Sequence, residues 1–308
     1  MTQATICYPN AFYHVCARGS NKKKLFKDFS DYDYFFKLLK RSVIKFNLRV
    51  HAYCLLPNHY HLYLQTPNAN LPVIMKHINE SYAKYFVKKY LKEQSGHVFG
   101  QRYQRQLVQN ETYSKTLFVY IMFNSYKHNK NIKPSQWPYT SYRAISGEIK
   151  LPDFLSTDLF KSSFIDINDF YKFSTKFDYA WNPAKEAIAQ FFLGDEDFAQ
   201  NIINRYIDLE NENLNSIVKM RNYMGPNRIM SYISQLDLSN RDKTDSIIYL
   251  LREFTDLTRN DVGTLLGVSK DVITQRHHKT RQKIECNPKW SNILSLEALI
   301  SNSLSVEI

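Results

Sequence analysis

The stretch Leu55-Leu56-Pro57-Asn58-His59-Tyr60-His61-Leu62-Tyr63-Leu64 decides how the fold and the chemistry of this chain are interpreted. Apart from the Pro57-Asn58 interruption, it has the apolar character of β-strands. Side chains two residues apart in a strand point to the same face of a sheet. We therefore expect the imidazoles of His59 and His61 on one face and the phenol of Tyr60 on the other. Two imidazoles on one face can bind one metal ion, although this spacing also occurs in structural and exposed histidine pairs.

The flanking segments alternate between strand and helix patterns. Strands are predicted over residues 11–17, 49–56, 59–66 and 101–109. Helices are predicted over residues 31–46 and 73–92, and a third begins at Asn110 or Thr112 and ends near Lys127. The order βαββαβ followed by a helix predicts a ferredoxin-like α+β domain, with an antiparallel sheet and helices on one face.

The length of 308 residues favours more than one domain. The chain is 44% hydrophobic and 15% aromatic, so material for a core is abundant. Pro152 marks the point where the charge balance changes. We predict a first domain over residues 1–150, a helical connecting region over 151–217 and a helical domain over 218–308.

The sequence predicts a cytoplasmic protein without a membrane segment. No uninterrupted apolar stretch approaches the length of a membrane span, and the N-terminus lacks the apolar core of a signal peptide. The four cysteines lack CxxC spacing, so free thiols in a reducing compartment are the simplest interpretation.

The positive charge is concentrated in the first half of the chain. Residues 1–150 contain 23 Lys and Arg against 7 Asp and Glu, whereas the remainder contains 18 against 22. A basic region rich in aromatic residues suits a polyanion with stackable bases, because cations bind phosphates and rings stack on bases. A solvated basic surface is the simpler alternative, but the asymmetry favours nucleic acid.

The third predicted helix contains Tyr120 and Asn124, which lie four residues apart and therefore project from one helix face. A phenol can attack a phosphodiester and form a covalent phosphotyrosine. The amide oxygen of Asn124 is a candidate third ligand for a metal ion already bound by two imidazoles. The simpler alternatives are that Tyr120 is a core aromatic and that Asn124 forms only local hydrogen bonds within the helix.

Five stretches together resemble the HUH single-strand nucleases, and more narrowly the REP-associated tyrosine transposases and the insertion-sequence transposases with one catalytic tyrosine. The similarity extends to about Gly147, roughly half of the chain. The five stretches are Arg18-Gly19-Ser20-Asn21 followed by Leu25-Phe26; Leu56-Pro57-Asn58-His59-Tyr60-His61; His97-Val98-Phe99-Gly100-Gln101-Arg102-Tyr103; Val119-Tyr120-Ile121 ending at Asn124; and Trp137-Pro138-Tyr139-Thr140-Ser141-Tyr142.

This resemblance implies a role for each matching residue. His59 and His61 match the two metal-binding histidines, and Asn124 matches a third ligand on a helix. Tyr120 matches the nucleophile that becomes linked to the 5′ phosphate and releases a 3′-OH. The resemblance further implies Mg²⁺ or Mn²⁺ as the metal and single-stranded or hairpin DNA as the substrate. Our candidate DNA contacts in this half are Arg18, Lys22, Lys23, Lys24, Arg102 and Arg105.

The chain also departs from the family pattern in three places. Tyr60 replaces the usual aliphatic residue between the histidines. Asn124 is followed by Ser125 rather than by proline, and the segment Phe99-Gly100-Gln101-Arg102 permutes the commoner order of glycine and glutamine. These differences affect the expected details of DNA binding more than the expected chemistry.

Residues 259–273 have the pattern of a helix-turn-helix. Gly263 would let two helices cross closely, and Gly267 would form the turn. Val262, Leu266, Val268 and Ile273 are expected to form the shared core. The second helix would begin near Ser269 and present candidate DNA-binding residues to duplex DNA, namely Lys270, Thr274, Gln275 and Arg276. An ordinary helical hairpin is the simpler alternative.

The sequence thus predicts a metal-dependent single-stranded DNA endonuclease and strand transferase that acts at hairpin-forming repeats through Tyr120. The C-terminal region would contact adjacent duplex DNA. Three alternatives stay open: a non-catalytic DNA-binding regulator on a nuclease-derived fold, a replication-initiation or relaxase-type HUH enzyme, and a hydrolytic metal nuclease. Both a monomer and a homodimer are compatible with the sequence.

Overall fold

The computed structural model describes residues 6–91, 96–188, 190–206, 226–255 and 257–294. These residues form two compact units, one up to residue 199 and one from residue 200 onward. No helix in the described ranges is both long and apolar enough to cross a membrane. The four cysteines are free thiols.

The first unit is built on a five-stranded mixed sheet. Its strands are β1 (Ala11–Arg18), β2 (Arg49–Leu56), β3 (His59–Thr66), β4 (Gln104–Val108) and β5 (Phe192–Leu193). The spatial order is β2-β3-β1-β4-β5. The first four strands pair antiparallel, whereas β5 lies parallel to β4. The order of the first four strands is that of the ferredoxin-like arrangement, which confirms the predicted α+β fold.

Two helices cover one face of the sheet, α1 (Phe29–Phe46) and α2 (Leu71–Phe86). The first begins two residues earlier than predicted, because Asp28 and Asp31 form a capping box. The ring of Tyr60 lies 4.9 Å from that of Phe35 in α1. Its hydroxyl donates to Oδ1 of Asn79 in α2 at 2.7 Å. Tyr60 therefore faces the helices, which places its histidine neighbours on the opposite face, as predicted.

The opposite face is covered by α3 (Asn110–Met122), followed by α4 (Asn124–His128). The prediction of one helix ending near Lys127 was wrong, because Phe123 interrupts it with φ −99° and ψ 11°. The expectation that helices cover only one face was also wrong. The face that carries the histidines is largely apolar, and α3 shields it from water.

Several short helices complete the first unit, and they include α5 (Tyr142–Ile145), α6 (Asp158–Ser163), α7 (Ile167–Thr175) and α8 (Pro183–Glu186). Phe160 in α6 and Phe170 in α7 belong to the same buried cluster as Phe118 in α3. The helices just after residue 150 therefore share a core with the predicted first domain. The other predicted boundary, at residues 217–218, lies outside the described residues.

The second unit is helical in the residues described. After α9 (Glu196–Tyr206), the helices are α10 (Pro226–Gln235), α11 (Asn240–Phe254), α12 (Arg259–Leu266), α13 (Lys270–Cys286) and α14 (Pro288–Ile293). Its core contains Val262 and Ile273, with Leu266 and Val268 packed against it. These are the four residues that the sequence assigned to a shared core.

Two glycines shape the connection between α12 and α13. Gly267 ends α12 in the left-handed region, at φ 67°. A Cβ atom on Gly263 would lie 2.6 Å from the carbonyl oxygen of Val268. Both observations agree with the roles predicted for these glycines, a tight turn and a close approach.

His51 makes the stability of the first unit sensitive to acid. It is 2% exposed and lies between the rings of Phe12 and Tyr63, and its interactions with Gln65 and Ser156 are not hydrogen bonds of normal geometry. Burial lowers the pKa of His51 from 6.5 to about 4. The unfolded chain therefore binds the proton more readily between these two pH values. Stability is present above pH 6.5 and is lost as the pH falls toward 4.

We predict that His51→Phe removes part of this acid sensitivity, because phenylalanine fits an aromatic site and does not titrate. Between pH 7 and 4, the free energy of unfolding should fall by about 3 kcal/mol less in the variant than in the wild type. Urea denaturation at each pH measures this difference. Equal losses in both proteins would contradict the assignment.

Candidate active site

A cleft of about 530 Å³ opens on the face of the sheet opposite α1 and α2. It is lined by residues from β1, β3, β4, α3 and α4, together with residues 182–184. Among the lining residues are four histidines, the predicted nucleophile and several cations. Those that carry chemistry are His14, Arg18, Lys22, His59, His61, Arg102, Gln106, Tyr120, Lys127 and His128.

His59 and His61 lie together at the start of β3, directly after the turn at Pro57-Asn58. Their ring centroids are 5.1 Å apart at an interplanar angle of 84°. Nδ1 of His59 lies 2.6 Å from Oδ1 of Asn58, and Nδ1 of His61 lies 2.9 Å from Nε2 of His14. In each ring, Nδ1 is therefore engaged and Nε2 is the nitrogen suited to bind a cation.

Tyr120 projects from α3 onto these histidines. Its ring centroid lies 5.4 Å from that of His61, with the two planes at 84°. On another side, Trp181 contacts the tyrosine edge-on at 5.4 Å. Nζ of Lys127 lies 4.8 Å from the centre of the tyrosine ring. Tyr120 is only 7% exposed, yet it lines the cleft, so its phenol reaches the space shared with the histidines.

Asn124 lies at the start of α4, one helical turn beyond Tyr120. Its side chain is fully buried, and Nδ2 lies 3.5 Å from the carbonyl oxygen of Tyr120. The amide also interacts with the side chains of His59 and Tyr120, but its Oδ1 makes no hydrogen bond of normal geometry. Leaving such a buried acceptor unsatisfied costs roughly 1–3 kcal/mol. A cation bound by the neighbouring imidazoles would satisfy this oxygen, so the donor set fits a divalent metal.

Burial keeps the histidines of the cleft neutral. It lowers the pKa of His59 to about 3, with a smaller contribution from the charge of His128. The pKa of His61 is well below its ordinary value for the same reason, helped by the neighbouring His14 and His59. Neutral imidazoles have the free lone pair that a metal ligand needs.

The predicted donor set combines two imidazoles with an amide oxygen. Within the described part of the chain, no group of three or more His, Cys, Asp or Glu side chains is arranged to hold a metal ion. A set of two nitrogen donors and one oxygen donor leaves room for phosphate oxygens, and it suits Mn²⁺ better than a site made of nitrogen alone. Substrate oxygens would complete such a site.

The loop after β1 places cations at the rim of the cleft. The backbone N–H of Gly19 donates to the carbonyl of Asn58 at 2.9 Å, and that of Gly100 donates to the carbonyl of Arg18 at 3.0 Å. A Cβ atom on Gly19 would lie 2.2 Å from the carbonyl oxygen of Lys23, so only glycine fits this path. The tight path holds Arg18 and Lys22 beside the histidines.

The predicted DNA contacts in the first unit occupy different environments. Arg18, Lys22 and Arg102 line the cleft. Arg18 and Lys22 also line an adjoining groove of about 400 Å³, together with Lys24. Lys23 is exposed on the same loop.

Arg105 differs from the other five, because alternation along β4 turns it to the face opposite Gln106. It is 6% exposed, and its guanidinium lies over the rings of Tyr103 and Phe191. The expectation that Arg105 contacts DNA does not agree with this burial. We therefore leave it out of the DNA-binding surface.

The candidate DNA-binding residues of the second unit lie on α13. Lys270, Thr274 and Gln275 are exposed. Arg276 is half-buried, and its Nη1 atom lies 3.2 Å from the carboxylate of Asp245 in α11. Three of the four side chains are thus free to face a ligand, whereas Arg276 also ties two helices together.

Sequence reasoning missed four residues that line the cleft, which are His14, Gln106, Lys127 and His128, and it missed the contact of Trp181 with Tyr120. His14 lies edge to edge with His61, with ring centroids 5.2 Å apart. The ring of His128 lies 5.1 Å from that of His59. Alternation along β1 could have placed His14 on the same face as Arg18. No local signal could have brought Trp181 to Tyr120, because the two are distant in sequence.

Residues 7–124 match the family model described as "Transposase IS200 like". Among solved structures, the chain is similar to a REP-associated tyrosine transposase bound to a REP hairpin, with 12% identity, a TM-score of 0.42, and coverage of 51% of this chain and 93% of that chain. It is also similar to a putative transposase from Deinococcus radiodurans R1, with 17% identity, a TM-score of 0.30, and coverage of 42% and 98%. No curated protein matches the chain. The family match is thus confined to residues 7–124, which include His59, His61, Tyr120 and Asn124.

Proposed function

We propose that this protein is a metal-dependent single-stranded DNA endonuclease and strand transferase that acts at hairpin-forming repeats through a covalent bond to Tyr120. One observation carries the proposal: the phenol of Tyr120 lies edge-on to His61, with 5.4 Å between ring centroids, in a cleft rimmed by cations. The match of residues 7–124 to the IS200-like transposase family model supports DNA strand cleavage as the reaction.

The proposed reaction exchanges one phosphate ester for another. Oη of Tyr120 attacks the phosphorus atom and loses its proton to solvent, while the bond from phosphorus to the 3′ oxygen breaks. The departing 3′ oxygen takes up a proton and becomes a hydroxyl, and the 5′ phosphate stays on the tyrosine. Attack by a 3′-OH on this phosphotyrosine reverses the exchange and joins strands, so the step needs no external energy source.

His59, His61 and Asn124 would hold the divalent metal, which we propose to be Mg²⁺ or Mn²⁺. When bound, the metal supplies positive charge that polarises the scissile phosphate and stabilises charge developing on it. The three protein ligands come from two elements, β3 and the start of α4. The packing of α3 on the sheet therefore places the phenol of Tyr120 beside the ligands.

Tyr120 is a weak nucleophile without help from neighbouring charges. Burial raises its pKa to about 12, whereas the charge of Arg18 acts in the opposite direction. At pH 7 this pKa leaves on the order of one phenol in 10⁵ ionised. Lys127, whose Nζ lies 4.8 Å from the ring centre, adds positive potential beside the phenol. A polyanion in the cleft would contact Arg18, Lys22 and Arg102, with Lys23 and Lys24 further along the loop.

The second unit is proposed to bind duplex DNA next to the cleavage site. This part of the proposal relies on the tight turn between α12 and α13 and on the exposed side chains of Lys270, Thr274 and Gln275. A helix presenting amide, hydroxyl and ammonium groups is suited to contact base edges and phosphates in a major groove.

The central prediction is that Tyr120→Phe abolishes the covalent adduct and DNA cleavage, because phenylalanine lacks the attacking oxygen. Labelled single-stranded hairpin DNA is incubated with protein and Mn²⁺ and analysed by denaturing electrophoresis. The wild type should give a labelled protein band and a shortened strand. Loss of activity in the variant should be at least about 10³-fold, as expected for removal of a nucleophile.

The matched control is Tyr113→Phe, which removes a half-buried phenol from the same helix outside the cleft and should keep both products. Cutting that persists in Tyr120→Phe would favour a hydrolytic metal nuclease. A well-folded wild type that binds DNA without forming any adduct would favour the non-catalytic regulator. Either result would contradict the proposal.

We further predict that Arg102→Ala weakens binding of single-stranded DNA, because it removes one cation from the cleft. The slope of log Kobs against log salt concentration should become shallower by about 0.7. Fluorescence anisotropy at several salt concentrations measures this slope. Arg41→Ala is the control, since Arg41 is an exposed arginine on α1, on the other face of the sheet. Equal effects of the two variants would argue against the cleft as the DNA site.

For the second unit, Lys270→Ala should weaken binding of a duplex oligonucleotide. The slope of log Kobs against log salt concentration should become shallower by about 0.9 if its ammonium contacts one phosphate. The control variant Arg241→Ala removes an exposed cation from α11. Duplex binding that is insensitive to Lys270→Ala would assign α12 and α13 to a structural hairpin.

A further inference from the structure

We propose that Gln106, acting through His14, sets the tautomer of His61 so that its Nε2 lone pair faces the cleft. A chain of two hydrogen bonds carries this inference. Nδ1 of His14 lies 2.8 Å from Oε1 of Gln106, and Nε2 of His14 lies 2.9 Å from Nδ1 of His61. The inference rests on the proposed function for its purpose, but the hydrogen-bond chain can be tested without metal or DNA.

We call this chain of two hydrogen bonds the relay. The register of three strands brings its three side chains together. His14 lies directly opposite Gln106 in the pairing of β1 with β4. On the other side of β1, His61 lies opposite Cys16, which places it diagonally next to His14. All three side chains point to the face covered by α3, because positions two apart in a strand share a face. The relay therefore runs across β4, β1 and β3 along the floor of the cleft.

The direction of each hydrogen bond follows from the amide oxygen of Gln106, which can only accept. Nδ1 of His14 must therefore carry a proton. His14 is 3% exposed, and no carboxylate occurs among the described residues that line the cleft, so its imidazole is neutral and Nε2 carries no proton. Nε2 of His14 then accepts a hydrogen bond from the Nδ1–H of His61. That leaves Nε2 of His61 as the unprotonated nitrogen.

The opposite amide orientation would reverse the whole chain. An amide N–H of Gln106 would donate to Nδ1 of His14, whose Nε2–H would donate to Nδ1 of His61. The proton of His61 would then lie on Nε2, and this nitrogen could not bind a cation. The amide orientation of Gln106 thus decides whether Nε2 of His61 is available to bind a cation.

The tautomer of His59 is set in the same way, but by one hydrogen bond rather than two. Nδ1 of His59 lies 2.6 Å from Oδ1 of Asn58, another amide oxygen. An amide oxygen therefore sets the tautomer of each imidazole of the pair. It accepts a hydrogen bond directly from His59, and it acts on His61 through His14. Both rings are set with Nε2 available, as a shared cation requires.

The relay also fixes the orientation of the ring against which the nucleophile packs. The rings of His14 and His61 lie edge to edge in nearly one plane, with an interplanar angle of 9° and centroids 5.2 Å apart. Tyr120 meets both rings edge-on, at 5.8 Å from His14 and 5.4 Å from His61. His14 and Gln106 are therefore positioning residues, which act on the chemistry through His61.

The direct test is the tautomer of His61 in the full chain without metal. Long-range proton–nitrogen correlation spectra of ¹⁵N-histidine-labelled protein distinguish protonated from unprotonated ring nitrogens, and loss of signals in His61→Gln assigns the residue. The wild type should show His61 protonated at Nδ1. Gln106→Met, which keeps the side-chain length but removes the oxygen acceptor, should give a mixture of both tautomers. The control Gln104→Met, an exposed neighbour on the same strand, should leave the tautomer unchanged.

Mn²⁺ affinity, measured by calorimetric titration, gives a second readout. Gln106→Met should weaken binding about twofold, because about half of the His61 rings would be in the wrong tautomer. His14→Phe keeps an aromatic ring at this position but removes the hydrogen bond to Nδ1 of His61, and it should weaken binding by about 10- to 100-fold. The histidine control, His51→Phe, should bind as the wild type does.

Two results would overturn the relay. One is His61 protonated at Nε2 in the wild type, and the other is an unchanged tautomer in Gln106→Met. Failure of the proposed function looks different, since the tautomers would be as expected while no covalent DNA adduct formed.

Discussion

The face of the central sheet that carries His59 and His61 must be shielded from water by an element that also brings Tyr120 to the two rings. Helix α3 meets both demands, because its apolar residues join the core while Tyr120 reaches the cleft beyond them. The turn at Pro57-Asn58 sets the register that puts both histidines on this face. The positions of the proposed metal ligands and the proposed nucleophile both follow from this single packing arrangement.

Burial has opposite consequences for the two kinds of group in the cleft. It keeps the imidazoles of His59 and His61 neutral, which is the form that binds a cation, and it disfavours the phenolate of Tyr120. In the proposed reaction, cations at the rim would compensate for the second effect and would also attract the phosphates of a DNA strand. The same positive charge would then serve both substrate binding and nucleophile activation.

Local sequence patterns predicted some features of the fold and the candidate site correctly, but they could not predict others. Alternation and the two-residue turn predicted β2 and β3 with the correct limits, and the order of elements predicted the sheet topology. The break at Phe123, the burial of Arg105 and the approach of Trp181 depend on tertiary packing and strand register, which no short stretch encodes. The resemblance of five motifs supplied the nucleophile, which chemistry alone left open among 22 tyrosines.

The most direct measurement is mass spectrometry of the covalent DNA adduct after digestion with nuclease and trypsin. Trypsin releases residues 116–127 as one peptide, which contains both Tyr120 and Tyr126. Fragmentation of this peptide locates the attached 5′ nucleotide. Our account predicts the nucleotide on Tyr120. A nucleotide on Tyr126, or on any residue outside this peptide, would contradict it.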